Sequence, residues 1–215
     1  MPVSILGIDS NFEPLTLAAF NYREAHVYPH FTTKGFTVDK CQGVEATKAS
    51  VDPKAQLPDV AYLTGVGHGA DDAFLGDGFG VVFQVPNYPH AAVSGNIVHF
   101  LSCFTANQLG KDFVQNGCLA YFSYDEEFLC PDPYQNIFFE CDSEIDRAFA
   151  DGLTAARVYN RVKSLFQHRA AELWNVPTTV SYQAAAALEQ DLDALRCPSS
   201  PPGTTDFGDP HAKLP

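Results

Sequence analysis

The sequence predicts an α/β protein whose sheet is mostly parallel and covered on both faces. Two observations lead there. Short apolar runs such as VSILGI, NIVHFLS and CLAYFSY are nearly unbroken, as expected of strands buried on both sides. Between them lie segments of helical period, so strands and helices alternate along the chain.

The elements follow in order. Residues 3–8 end at Asp9-Ser10 and read as a buried strand, followed by a helix over 15–25. Residues 35–40 (GFTVDK) place β-branched and aromatic side chains at alternate positions, a second strand. A helix over 44–55 stops near Pro53, and residues 59–65 (DVAYLTG) form the next strand. Residues 79–85 (FGVVFQV) make a strand or hairpin arm. Residues 96–102 are the clearest buried strand, and a helix over 106–115 ends at Gly117 in a C-cap position. Residues 118–124 are one more buried strand. The last third is helical over 143–174 and 179–196, with Ile145, Ala148, Phe149, Leu153, Ala156 and Val158 spaced by three and four. Residues 1–196 therefore form one domain. Residues 197–215, rich in Pro, Gly, Ser and Thr, read as a flexible tail.

Composition narrows the function. The chain has 215 residues and a formal charge of −13, and its 13 basic residues form no patch. That argues against nucleic acid and anionic membrane as partners. No run approaches a membrane span, and MPVSILGIDSNF lacks the basic start of a signal peptide, so a cytoplasmic protein is expected. Six cysteines at long spacings, without CxxC, read as free thiols rather than disulfides or a zinc site. No cofactor is implied.

In parallel α/β sheets the ligand site lies beyond the carboxyl ends of the strands. One strand runs into YLTGVGHGADD and another into HFLSCFTA, which puts His68 and Cys103 at successive strand ends. A thiol with a pKa near ~8.5 is mostly protonated at neutral pH. A neighbouring imidazole and the N-terminus of the helix that follows would both favour the thiolate. The thiolate would attack a carbonyl, and the imidazole would protonate the leaving amine. Gly69 would leave room for the substrate, and the N–H groups of Gly69 and Cys103 would form an oxyanion hole. Against this stand plainer readings: a turn histidine, and a cysteine that is only a small buried hydrophobe.

The blocks VAYLTGVGHGA and NIVHFLSCFTA resemble the clan CD cysteine peptidases: caspases, metacaspases, gingipains, clostripain-like enzymes, legumain and separase. The continuation ANQLGKDFVQNGCLAYFSYDEEF is similar to the segment after the nucleophile in gingipain-like and CHAT-type members, and SEIDRAFADGLTAARVYNRV to a later helix. The resemblance spans about residues 3–162 and is sharp only in the two short blocks. It implies a caspase-like three-layer α/β/α sandwich, a cysteine endopeptidase with His68 and Cys103 catalytic, and a protein or peptide substrate. Histidine precedes cysteine here, unlike in papain-like peptidases. Leu101-Ser102-Cys103-Phe104-Thr105 departs from the Q-A-C-[RQG]-G of caspases proper.

Further expectations attach to the resemblance. In members that prefer Arg or Lys at P1, an acidic residue near the next strand end lines S1; here that candidate is Asp125, with a solvated acidic turn as the alternative. Some members need calcium, but Asp71, Asp72 and Asp77 do not have EF-hand spacing and read as a flexible substrate-facing loop. Cys130 lies in a loop without a nearby His-Gly and is no rival to Cys103. His99, inside a buried strand, reads as a core histidine. Pro29 breaks a metal-binding reading of His26 and His30. The alternative to a peptidase is a non-catalytic caspase-like interaction module.

Overall fold

Strand β1 (Ser4–Asp9) is wholly buried. The structure, a computed structural model, describes residues 3–200 and 205–215. Helices α1 (Pro14–His26) and α2 (Tyr28–Thr33) lead into β2 (Thr37–Gln42), and α3 (Lys48–Ala55) into β3 (Val60–Val66). A hairpin region follows, with β4 (His68–Ala70), β5 (Ala73–Leu75) and β6 (Val81–Gln84). Then come β7 (Ile97–Leu101), α4 (Leu109–Gln115), β8 (Ala120–Tyr124), α5 (Gln135–Ala150), α6 (Ala155–Trp174), α7 (Thr179–Ala194) and β9 (Leu195–Arg196).

The main sheet has six strands in the order β2-β1-β3-β7-β8-β9, parallel except for β9. Successive side chains on each strand point to opposite faces. Ile5, Tyr62, Ile97 and Phe122 pack with α1, α2, α5, α6 and α7. Their neighbours Leu6, Leu63, Val98 and Tyr121 pack with α3, α4 and the small sheet. This is the three-layer α/β/α sandwich with a mostly parallel sheet that the sequence predicts.

The first of these faces encloses charge. Arg23, 1% exposed, pairs with Asp9 and Asp146 at 2.9 Å each. His99 lies between Asp142 and Asp146 at 3.2 and 3.0 Å, a satisfied core histidine. Burial disfavours its charge, but the two carboxylates win and push its pKa up to about 9.

Four expectations need correction. The segment after His68 is not a flexible loop: β4, β5 and β6 form a separate antiparallel sheet, in which β6 is the hairpin arm expected within residues 79–85. The helix after Cys103 begins at Leu109, because the chain first reverses through Phe104, whose φ is 65°. The helical stretch over 143–174 is two helices, broken at Gly152 with φ 80°. The tail is held where it is described: Phe207 and Leu214 are buried. Tyr121 N–H donates to Phe207 O at 3.0 Å and Ala155 N–H to Ala212 O at 2.8 Å. Its isolated apolar side chains cover the starts of β8 and α6, which its polar composition conceals; residues 201–204 of it lie outside the described residues.

Candidate active site

The order β2-β1-β3 means that the chain leaves β1 in one direction and returns on its other side, the switch point at which a crevice opens beyond the strand ends. Register then aligns the two candidate residues. Val66 of β3 pairs with Leu101 of β7, and His68 and Cys103 each lie two residues further on. Both line one small pocket of about 60 Å³.

The glycines around His68 answer to crowding rather than to turn geometry. A Cβ on Gly69 would overlap the carbonyl oxygen of Cys103 and Ser102 Oγ, and one on Gly67 would overlap the carbonyl of Leu75. Gly69 thus lets β4 lie directly on the Cys103 segment, and the room it leaves is filled by protein. Asp71 extends this junction. Its carbonyl accepts from the N–H groups of Gln108 and Leu109 at 2.9 Å each, and its carboxylate from Asn107 Nδ2 at 2.9 Å. The β4–β5 turn therefore caps α4 and ties the histidine hairpin to the cysteine loop.

His68 is held by Phe79 and Phe12, with ring centroids 4.6 and 5.9 Å away, and by Glu13. Nε2 lies 3.4 Å from Glu13 Oε1, an ion-pair separation whose angle does not make a hydrogen bond. Glu13 also caps α1, accepting from Thr16 N–H at 2.9 Å. Burial opposes its ionisation, but the N–H groups of Thr16 and Leu15 and the nearby imidazole hold the carboxyl below its ordinary range. β1, β3 and β7 are neighbours in the sheet, so their ends deliver Glu13, His68 and Cys103 side by side.

Cys103 Sγ accepts from Phe128 N–H at 3.3 Å. Burial pushes the thiol up, the N–H groups of Phe128 and of Cys103 itself oppose this, and Glu127 and Asp191 add to the rise. The expected lowering by a helix N-terminus is absent because α4 starts six residues further on. Among the described residues no hydrogen bond joins the thiol to His68. Phe104, next to the thiol, takes a left-handed backbone that costs on the order of 1–2 kcal/mol in a non-glycine residue.

Asp125 does not join this group. Its carboxylate pairs with Arg196 Nε at 2.7 Å, and it does not line the pocket. The reason is β9, which pairs antiparallel with β8 and lays Arg196 beside it. Conversely, Cys130 does line the pocket, although burial pushes its thiol far up. Among the described residues no cluster of three or more His, Cys, Asp or Glu could hold a metal ion, and no helix is long and apolar enough to cross a membrane.

Sequence reasoning missed Glu13, Phe128 and Asp191. Glu13 carries a local signal, an acidic residue directly before proline at a helix start, but its proximity to His68 comes only from strand order. Asp191 of α7 accepts from Leu129 N–H at 2.8 Å, one residue from the N–H that touches Cys103.

No family model matches the chain, and no curated protein does. Solved structures do. The fold is that of the gingipain cysteine proteinases. The Arg-specific cysteine proteinase gingipain R aligns over 99% of this chain with a TM-score of 0.52 at 12% identity. The complex of the pro- and mature domains of RgpB from Porphyromonas gingivalis gives 0.51, also at 12% identity and over 99% of the chain. An inactive zymogen of a C11 protease from Parabacteroides distasonis aligns over 90% of this chain and 81% of its own, at a TM-score of 0.43 and 10% identity. All three neighbours are clan CD cysteine peptidases. The chain spans about half the length of the two gingipain structures, 47% and 48%.

Proposed function

We propose that the protein is a cysteine endopeptidase acting through Cys103 and His68. The observation that carries this reading is the β3–β7 register, which supports a dyad by bringing an imidazole and a thiol from adjacent strand ends to one pocket. In the proposed cycle the thiol proton passes to His68 as Cys103 Sγ bonds to the substrate carbonyl carbon. The C–N bond then breaks, and the imidazolium gives that proton to the departing amine. Water, deprotonated by His68, hydrolyses the thioester and restores the thiol. Glu13 steadies the imidazolium by charge. The backbone N–H groups of Gly69 and Cys103 serve as oxyanion donors, each typically worth ~10²–10³ in rate. The contact of Gly69 with the Cys103 carbonyl supports their closeness. The Phe128 N–H stabilises the thiolate once it forms.

Gingipain R is Arg-specific, and cleavage after a basic residue is the corresponding expectation for this chain. Its one proposed determinant, Asp125, is already neutralised by Arg196. A second reading, a non-catalytic interaction module, draws on the raised thiol pKa and the missing thiol–imidazole bond. One experiment separates the two: treat the protein, the Cys103→Ala variant and the His68→Ala variant with a peptide library and a cysteine-directed electrophile, and map adducts by mass spectrometry. Cleavage that both substitutions abolish, with wild-type labelling at Cys103, is expected. Intact peptides and an unlabelled Cys103 overturn the peptidase reading and leave the module.

A further inference from the structure

We infer that the pocket beside Cys103 is a P1 subsite for a small aliphatic side chain, so that cleavage follows residues such as Ala or Val rather than Arg, Lys or Asp. The inference rests on the peptidase reading above and specifies its substrate class.

The pocket adjoins the atom that would attack, so whatever fills it belongs to the residue whose carbonyl is attacked. Its walls are apolar. Leu15 and Ala19 come from α1, Val66 and Leu101 from the ends of β3 and β7, and Phe128 and Phe139 from the far side. No Asp, Glu, Lys or Arg lines it. Thr16, which does, turns its hydroxyl back to donate to Glu13 O at 3.3 Å. The unpartnered polar atoms of its lining are Ser102 Oγ, a neutral group packed against Gly69, and Nε2 of His68, which the peptidase reading assigns to the reaction rather than to side-chain binding.

None of the carboxylates nearby lines the pocket. Asp125 is paired with Arg196, and Glu13 is bound to the start of α1 and faces His68. Glu127 is exposed to solvent and outside the lining. Asp191 accepts from Leu129 N–H and also lies outside the lining, and burial raises its carboxyl to about 8, which favours the protonated form at neutral pH. A guanidinium or ammonium entering the pocket would thus lose its water without gaining a counter-charge, a penalty on the order of 10³-fold.

Size narrows the choice further. An apolar cavity of ~150 Å³ holds a benzene-sized group, and this pocket offers about 60 Å³. Two or three carbons fit, and an aromatic ring does not. Each added or missing methylene in such a site is worth roughly 10–200-fold in kcat/KM.

The test is a set of peptides differing only at P1 (Ala, Val, Leu, Phe, Arg, Lys, Asp), together with peptidyl acyloxymethyl ketones carrying the same P1 residues. Cleavage and adduct formation at Cys103 are measured for the wild-type protein, for Cys103→Ala, and for two variants that add a carboxylate to the pocket. Ala19→Asp adds it on the buried wall, and Leu15→Glu at the half-exposed mouth, where folding is least at risk. Ala and Val should exceed Arg, Lys and Asp by at least ~100-fold in the wild type. Leu15→Glu should raise the Arg-to-Ala ratio at least tenfold. Preference for a basic, acidic or aromatic P1, with labelling at Cys103 intact, overturns the subsite and leaves the peptidase reading standing. Labelling without peptide turnover is judged by the rank order of the ketones in the same way. No cleavage and no labelling by any member overturns both.

Discussion

Replacing Gly69 by alanine tests whether the histidine hairpin and the cysteine loop are one packed unit. Gly69 is outside the left-handed region, so backbone strain is not the issue; contact is. The new methyl would overlap the Cys103 carbonyl and Ser102 Oγ and stand 2.7 Å from Thr105 Cγ2. Carbon contacts settle near 3.5–4.0 Å, so the Cys103 segment must retreat by roughly 1 Å. The segment cannot do so freely: Ser102 O accepts from Ser123 Oγ at 3.0 Å, Ala106 N–H donates to Tyr124 O at 3.1 Å, and Asp71 ties the hairpin to α4. Overpacking of this kind costs ~1–3 kcal/mol, which for a chain of this length lowers Tm by roughly 2–12 °C. A 1 Å displacement of a reacting group costs about 10²-fold in rate. The assay pairs thermal unfolding with the rate of iodoacetamide adduct formation at Cys103 and with peptide turnover. Gly35→Ala is the control. With φ 91° and nothing within 4 Å of a Cβ, it strains the backbone by ~1–2 kcal/mol without touching the site. Both variants should melt earlier, and only Gly69→Ala should react and turn over about 100-fold more slowly. Reaction and turnover within threefold of wild type in Gly69→Ala would refute the claim that this glycine sets the thiol's position.

Two further outcomes are expected. Glu13→Gln keeps an acceptor for the start of α1 but removes the charge beside His68. Because both partners are about a third exposed, the loss is about 1 kcal/mol, near fivefold in kcat/KM with Tm almost unchanged; an unchanged rate would show that the 3.4 Å contact is incidental. Asp191→Asn should flatten the loss of stability that runs from about pH 4 to about pH 8. Burial raises this carboxyl from its ordinary 3.8 to about 8, so between those values the folded state keeps a proton that the unfolded chain gives up. Its contribution is fully present below about pH 4 and is lost as pH rises through about 8. The Tm difference between Asn and Asp proteins should therefore widen from pH 5 to pH 9, and a constant difference would count against the buried, protonated acid.

How much of this is legible in the sequence follows from where the information resides. A strand buried on both faces must be apolar along its length, so NIVHFLS and CLAYFSY announce themselves, and the residues at their ends can be read as a rim. His68 and Cys103 become candidates that way because each lies two residues past the end of its strand. Glu13, Phe128 and Asp191 are not, because each reaches the site through an arrangement that local pattern does not encode: the switch between β1 and β3, a loop folded back onto the thiol, and the packing of α7. Asp125 fails for the complementary reason. It occupies a strand end as His68 and Cys103 do, but a two-residue strand, too short to carry a periodic signal, brings Arg196 to it. Specificity is hardest to read for the same cause. A charged subsite would reveal itself as an acidic residue, whereas the walls of this one are Leu15, Ala19, Val66 and Leu101, residue types indistinguishable in sequence from the core that surrounds them. A pocket defined by missing charge is visible only once every neighbouring carboxylate has been traced to another partner or to solvent.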